Sequence, residues 1–170
     1  MNYENDLIVK LLNTKHYKLK RVFYTKSNGL IFNIFYIFDK NVITELDDSH
    51  NIEHKSSEDD FKRLNRSLAN KYIAWYYSIW DHDDKTSNGQ YLHTEPAYRG
   101  NGWGTYLYML NASLAFKNNI LDHKADFAAD VWKIYGYIGL KRNKSGDEMK
   151  GKTSIMSGAT SIRRFCKRFI

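Results

Sequence analysis

One run of residues limits the possible folds more than any other: an extended segment reaches the chain's single proline, and glycines and a helical pattern follow it. The segment is Gln90–Thr94, the proline is Pro96, and apolar residues then recur at helical spacing from Gly102 to Asn118. Glycines let backbone N–H groups turn toward one point, and a helix start adds unpaired donors and the positive end of its dipole. The run therefore predicts a site that can bind a pyrophosphate.

A glycine-rich loop alone is also compatible with a flexible turn before a helix, or with a dinucleotide-binding loop. The glycines are spaced differently from the dinucleotide fingerprint, and the segments before them read as antiparallel hairpins rather than as βαβ units. The flanking residues are therefore needed to choose among these sites.

With its flanks, the run resembles the acyl-CoA signature of the GNAT superfamily of N-acyltransferases: a strand, a proline, an aromatic residue, then Arg-x-x-Gly-x-Gly leading into a helix. These positions are held here by Pro96, Tyr98, Arg99, Gly102 and Gly104. Farther along, Tyr135–Lys141 looks like the second landmark of the family, a helical tyrosine followed by Gly-Phe. The two landmarks lie in the expected order and at about the expected separation.

The resemblance implies an α/β fold, with a mixed, mostly antiparallel sheet, a splayed central strand pair and flanking helices. It implies that acetyl-CoA, or another acyl-CoA, enters between the splayed strands. The resemblance covers roughly Tyr72–Lys141, and the length of 170 residues, with no linker, predicts that the whole chain, 1–170, is one such domain. The pantetheine would pair with the strand ending at Thr94, and the pyrophosphate would rest on the loop. The implied cofactor-binding residues are Thr94, Arg99, Gly100, Asn101, Gly102, Trp103, Gly104 and Thr105.

The resemblance also implies that an amine attacks the thioester directly, with a backbone N–H near His93 or Thr94 on the developing oxyanion. Tyr135 is the candidate acid for the leaving thiolate. In an alternative register Trp132 takes that position, and the acid is then unassigned. Tyr135 also fits an ordinary aromatic residue packed against a sheet.

No general base stands out in the sequence. Where members of the family use a carboxylate or imidazole, it often lies early on the strand before the loop, but Asn88 and Gln90 stand there. His93 is the nearest side chain that exchanges a proton near neutral pH, and Glu95 is next. A strand histidine is also often structural, and Glu95 fits a solvated residue at the rim.

The rest of the chain predicts strands, with a few helices between them. The expected strands are Lys20–Tyr24, Leu30–Phe38, Val42–Leu46, Tyr72–Trp80, Ile120–His123 and Ser154–Ser157. The expected helices are Asp6–Leu12, a second near Asp59–Ala69 capped by Ser56 or Ser57, and Ala125–Tyr137. Turns are expected at Ser27–Gly29 and Ser87–Gly89, and the aromatic strand Tyr72–Trp80 is expected to be central and buried on both faces.

Charge and composition restrict the partners without selecting one. The net charge of +7 and pI of about 9.3 favour nucleic acid, an anionic surface or a polyphosphate cofactor. The segment Ile162–Ile170 places four cations beside four apolar residues, which fits a basic amphipathic element or an ordinary charged rim. Cys166 is the single cysteine, which favours a cytoplasmic protein, in the host cytoplasm if the gene is viral. One proline among many Asn, Lys, Ile and Tyr indicates an AT-rich genome such as that of a phage, virus or low-GC bacterium.

Two absences complete the prediction. The chain has no apolar run of about 18 residues, so no membrane span is expected. Asp81-His82-Asp83-Asp84 lacks the alternating spacing and glycine of a calcium loop, so a solvated turn is expected and no metal.

The sequence therefore predicts an enzyme that moves an acyl group, acetyl first, from CoA to an amine of a protein, a small molecule or a nucleobase. The alternatives are a nucleic-acid-binding or nucleobase-modifying protein of the same fold, and a CoA-binding protein without turnover.

Overall fold

The computed structural model describes residues 17–39, 53–67, 72–100, 103–126 and 140–156. In chain order its elements are β1 (Tyr17–Thr25), β2 (Ile31–Asp39), β3 (Glu53–Lys55), α1 (Glu58–Ser67), β4 (Ala74–Asp81), β5 (Thr86–Thr94), a 3-10 turn (Pro96–Tyr98), α2 (Trp103–Lys117), β6 (Asp122–Asp126), β7 (Lys141–Arg142), β8 (Glu148–Lys152) and α3 (Thr153–Met156). No helix within these ranges is long and apolar enough to span a membrane.

The strands form one mixed sheet in the order β3-β1-β2-β4-β5-β6-β8-β7. The pairs β1/β3 and β5/β6 are parallel, and every other neighbouring pair is antiparallel. The predicted fold class, a mostly antiparallel sheet with a parallel central pair, is confirmed.

The first hairpin forms where its turn residues predict it. Gly29 has a φ of +86°, a conformation that glycine adopts without a side-chain clash, and its N–H donates to Lys26 O at 2.9 Å. The side chain of Asn28 accepts from the N–H of Leu30 at 3.2 Å. The turn aligns Thr25 with Ile31, which sets the register of β1 and β2.

The central strand β4 is covered on both faces, as its aromatic composition predicts. Alternate side chains point to opposite faces of a strand. One face packs against α2 through Tyr76 and Trp80, whereas the other face adjoins the cluster under α1, into which Phe61 and Leu64 insert. Helix α1 begins where predicted, since Ser57 Oγ accepts from the N–H of Asp60 at 3.2 Å.

The predicted turn at Ser87–Gly89 is wrong. The chain reverses earlier, at 82–85, where Asp81 Oδ1 accepts from the N–H groups of Asp83 and Asp84 and Lys85 takes a φ of +52°. An aspartate that bonds the backbone two and three residues on provides the turn by itself. The residues 87–89 therefore lie inside β5, and the turn is formed at the acidic run Asp81-His82-Asp83-Asp84.

Three further predictions are corrected. The strand β3 lies between the predicted strand Val42–Leu46 and the predicted helix near Asp59–Ala69, where no strand was expected, and it pairs with β1. Ala125 belongs to β6 and pairs with Gly89, so it does not begin a helix. The predicted strand Ser154–Ser157 is wrong, because residues 153–156 form helix α3. The N–H of Thr153 donates to Leu121 O at 2.9 Å and its Oγ1 donates to Ile120 O at 2.7 Å, so the chain leaves the sheet at this residue. The predicted helix Asp6–Leu12, the strand Val42–Leu46, residues 127–137 of the third helix and the segment Ile162–Ile170 lie outside the described residues.

A buried arginine joins the outer strands. Arg21 is 6% exposed, and its guanidinium lies 4.3 Å from the ring centroid of Phe23 and 4.6 Å from that of Trp80. Its Nε and Nη2 donate to Asn33 Oδ1 at 3.0 and 2.6 Å. Its Nη1 donates to Glu53 at 2.9 Å, which connects β3 to the sheet. Burial lowers the pKa of Arg21, and Glu53 opposes that shift. The charge is therefore retained through its acceptors.

We expect Asn33→Leu to lower the free energy of unfolding by about 2–4 kcal/mol, because it removes the acceptor of a buried charge. The double variant Asn33→Leu/Arg21→Met should be more stable than Asn33→Leu, since it removes the charge as well. Urea unfolding of the two variants and the parent measures this. A double variant less stable than the single one would contradict the account.

Candidate active site

The central parallel pair is joined along the first half of β5. Among the described residues, pairing between β5 and β6 runs from Thr86 and Asp122 to Gly89 and Ala125. β5 continues to Thr94 with β4 as its partner, and a bulge leaves Gln90 unpaired, since Tyr77 aligns with Tyr91 but Ser78 with Gly89. Within the part of the chain that the structure describes, the second half of β5 therefore has no strand partner on the side of β6.

The backbone alternation shows which groups lie on this open edge. The N–H of Glu95 donates to Ile73 O at 2.9 Å, so Ile73 and Glu95 are a hydrogen-bonded pair. Hydrogen-bonded and non-hydrogen-bonded pairs alternate along an antiparallel ladder, so the next pair, Ala74 and Thr94, is non-hydrogen-bonded. The N–H and C=O groups of Thr94, and of Leu92 two residues earlier, therefore face away from β4. Those of His93 face β4.

The loop after β5 turns back onto the end of the strand. Arg99 Nε donates to Thr94 O at 3.0 Å, and Gly100 follows at a φ of +81°. A Cβ at Gly100 would have no heavy atom within 4 Å, so its backbone is open on that side. At the start of α2, a Cβ at Gly104 would lie 3.1 Å from Leu92 Cδ2, so the first turn of the helix lies directly on β5.

The structure thus brings six of the predicted cofactor-binding residues to the end of β5. Arg99 and Gly100 are exposed, Gly104 and Thr105 are half-buried, and the indole of Trp103 is buried in the core beneath α2. Gly104 is a packing position rather than part of an exposed loop, so a bulky residue there would disturb the fold. Asn101, Gly102, Trp132 and Tyr135 lie outside the described residues.

His93 and Glu95 lie together on the face of β5 opposite α2. His93 Nε2 is 3.0 Å from Glu95 Oε1, and both side chains are about one-quarter exposed, at 25% and 27%. Positions two apart on a strand share a face. The imidazole is therefore held at the surface by a carboxylate, near the strand end but across the sheet from the helix.

A buried polar cluster stands where the β5/β6 pairing ends. His123 Nε2 is 3.2 Å from the hydroxyl of Tyr76, and its Nδ1 is 3.1 Å from Ser87 Oγ. Asn111 of α2 donates to Ser87 Oγ at 3.0 Å and accepts from Ser78 Oγ at 2.7 Å. The cluster connects β4, β5, β6 and α2, and sequence analysis missed it. The available signal was Asn111 itself, an amide on the apolar stripe of a helix.

This cluster explains the glycine within β5. A Cβ at Gly89 would lie 2.5 Å from the hydroxyl oxygen of Tyr76 and 3.4 Å from His123 Nε2. Gly89 is therefore required by close packing at the point where the strand pair opens.

We expect Gly89→Ala to lower the free energy of unfolding by about 1–3 kcal/mol, because the methyl group overlaps the Tyr76 hydroxyl. Adding Tyr76→Phe to Gly89→Ala should recover part of this loss, although Tyr76→Phe alone is destabilising. Thermal and urea unfolding of the two single variants and the double variant measure the coupling. Additive effects would show that the hydroxyl is not the obstacle.

The stability should also depend on pH through His123. Burial lowers the pKa of His123 from 6.5 to about 3. Between these two pH values the imidazole is therefore protonated in the unfolded chain and neutral in the folded chain. Its contribution to the free energy of unfolding is complete above pH 6.5 and is lost as the pH falls toward 3, by about 1.4 kcal/mol per pH unit. Urea unfolding from pH 7 to 4 should give a shallower slope for His123→Gln than for the parent, and equal slopes would contradict the burial effect.

The sequence itself matches no family model and no curated protein. Solved structures do match. An acetyltransferase of the GNAT family from Staphylococcus aureus has a TM-score of 0.50 at 9% identity, over 72% of this chain and 68% of that protein. The SpeG spermidine N-acetyltransferase from Vibrio cholerae has a TM-score of 0.49 at 12% identity, over 76% and 69%. The PaiA N-acetyltransferase from Thermoplasma acidophilum, solved with coenzyme A, has a TM-score of 0.43 at 17% identity, over 48% and 54%.

The similarity to the Staphylococcus aureus protein covers 72% of this chain, and the sheet contains a parallel central pair beside the start of a helix. These two findings agree with the signature at Pro96–Gly104. This chain has the GNAT fold.

Proposed function

We propose that this protein is an acyl-CoA-dependent N-acyltransferase that acetylates an amine. One observation carries the proposal: among the described residues β5 has no partner on the side of β6 after Gly89, and the loop and the start of α2 lie at the end of that edge. A thioester donor is an extended, hydrogen-bonding chain with a diphosphate at one end. An open strand edge that ends at a helix start suits both parts of such a donor.

The donor would be held mainly by backbone groups. The carbonyl of Leu92 and one of the outward N–H groups, that of Leu92 or that of Thr94, would pair with the amides of the pantetheine. The diphosphate would lie on the open side of Gly100 and on the first turn of α2, where Gly104 and Thr105 stand. The net charge of +7 favours the encounter with a polyphosphate. Asn101 and Gly102 remain predicted members of this site.

The chemistry needs a base, an oxyanion donor and an acid. The bound acyl-CoA supplies an activated carbonyl. His93, oriented by Glu95, would take a proton from the amine, and the outward N–H of Leu92 or Thr94 would donate to the carbonyl oxygen as it gains charge. Tyr135 stays the predicted acid for the sulfur. The amine–carbonyl bond forms as the carbon–sulfur bond breaks.

We expect Arg99→Glu to abolish the rise in melting temperature that acetyl-CoA causes, because it frees Thr94 O and places a negative charge where the diphosphate binds. Lys144→Glu is the matched control, with the same change of charge on the exposed β7–β8 hairpin. The control should keep the thermal response. A parent protein that does not respond to acetyl-CoA would refute the proposed function.

Release of thiol from acetyl-CoA in the presence of amines completes the test. Release that requires an amine and falls in His93→Gln supports the enzyme. Binding of acetyl-CoA without release from any amine identifies a CoA-binding protein without turnover. A gel shift with RNA or DNA that weakens steeply with salt and is unaffected by acetyl-CoA would favour a nucleic-acid-binding protein.

A further inference from the structure

The point where the described ladder between β5 and β6 stops is covered on its α2 side by tightly packed side chains. Gly89 and Ala125 are the last described pair, and a Cβ at Gly89 would lie 2.5 Å from the hydroxyl oxygen of Tyr76. The same Cβ would lie 3.4 Å from Ala125 Cβ and from His123 Nε2. Side chains therefore fill the space directly beside Gly89.

A ring from α2 supports this packing from behind. The ring of Tyr108 stacks on that of Tyr76, with centroids 4.5 Å apart and an interplanar angle of 29°, and it lies edge to face with the imidazole of His123 at 5.4 Å. Tyr76 and His123 are fully buried, and Tyr108 is 2% exposed. We name the three side chains of Tyr76, Tyr108 and His123 the end wall.

Hydrogen bonds hold the end wall in place. His123 Nε2 is 3.2 Å from the hydroxyl of Tyr76, and its Nδ1 is 3.1 Å from Ser87 Oγ, to which Asn111 donates at 3.0 Å. Moving the ring of Tyr76 aside would break a buried hydrogen bond and the stacking with Tyr108, and both losses cost free energy. The end wall is therefore a fixed boundary.

The orientation of the donor would bring its acyl group to this boundary. In the proposed function the diphosphate lies beyond Thr94, at Gly100 and the start of α2, and the pantetheine lies along the edge at Leu92. The acyl group, at the other end of the donor, would therefore point along β5 toward Gly89.

The length of strand that remains is short. Gly89 lies three residues before Leu92, which corresponds to roughly 10 Å along a strand. The methylenes, the sulfur and the carbonyl that follow the last amide of the pantetheine take up most of this length. A short acyl chain is what the remaining space admits before the end wall is reached.

We propose that the end wall sets the length of the acyl group, so that the donor carries a chain of about two or three carbons. This inference rests on the proposed function and assigns its donor specificity to particular side chains. A longer chain would have to displace Tyr76 or Tyr108 from a packed core, and a clash of this kind is an effective way to reject a ligand. Tyr76 and Tyr108 are thus specificity-determining residues, and neither takes part in the bond changes.

The test measures how free CoA, acetyl-CoA and octanoyl-CoA bind to the full chain, by calorimetric titration. In the parent, octanoyl-CoA should bind at least about tenfold more weakly than acetyl-CoA, because its chain meets the end wall. Tyr108→Ala removes the ring behind Tyr76 and should bring the two affinities within about threefold of each other. Tyr108→Phe keeps the ring and should discriminate as the parent does.

Phe116→Ala is the matched control, because it removes an exposed aromatic ring from the same helix. It should keep the parent's ratio of affinities. If Tyr108→Ala does not unfold cooperatively in urea, Tyr108→Leu replaces it, since it removes less volume from the core. The ranking of the three ligands in the parent tests the inference in either case.

Octanoyl-CoA that binds the parent as tightly as acetyl-CoA would overturn the inference, because the chain then leaves the gap without displacing the end wall. An unchanged ratio in the folded Tyr108 variant would also overturn it. These results leave the proposed function intact, since CoA still binds. A parent that binds none of the three ligands refutes the proposed function and this inference together.

Discussion

The contacts of His123 with Tyr76 and Ser87, together with those of Asn111, hold four elements together at the point where the sheet opens. In the described ranges, β5 and β6 share a ladder of four residue pairs that reaches Gly89 and Ala125, and side-chain bonds add to its backbone bonds. A satisfied polar cluster in the core does this, and its low local dielectric strengthens each bond. The cluster therefore fixes the strand pair at the point where its described pairing stops.

Side chains of β5 lie on both faces of the sheet, because successive side chains of a strand point in opposite directions. Leu92 points toward α2 and is covered by Gly104, whereas Tyr91 and His93 point to the opposite face. The backbone between them provides the open edge. A donor along this edge would therefore lie on the same strand as His93, which is the geometric basis of the proposed function.

Local sequence patterns predicted much of the fold and part of the site. The turn at Gly29, the cap at Ser57 and the strand–proline–loop–helix run depend on neighbouring residues, and all three formed as expected. The turn before β5 was misplaced, because Ser-Asn-Gly is a strong turn signal whereas the side-chain bonds of Asp81 lie upstream of it. Gly89 carries a packing requirement that no local pattern reveals, since its obstacle is Tyr76 on another strand.

By itself, the sequence determined the glycine-containing loop between a strand and a helix, the aromatic central strand and the net positive charge, because these follow from residue types and short spacings. Only the tertiary structure decided where β5 leaves β6, which backbone groups face the opening, and that Trp75, Tyr91 and His93 share one surface. Those features come from strand register and from contacts between residues far apart in the chain. Register depends on how whole faces pack, so it is settled only when the sheet and its helices come together.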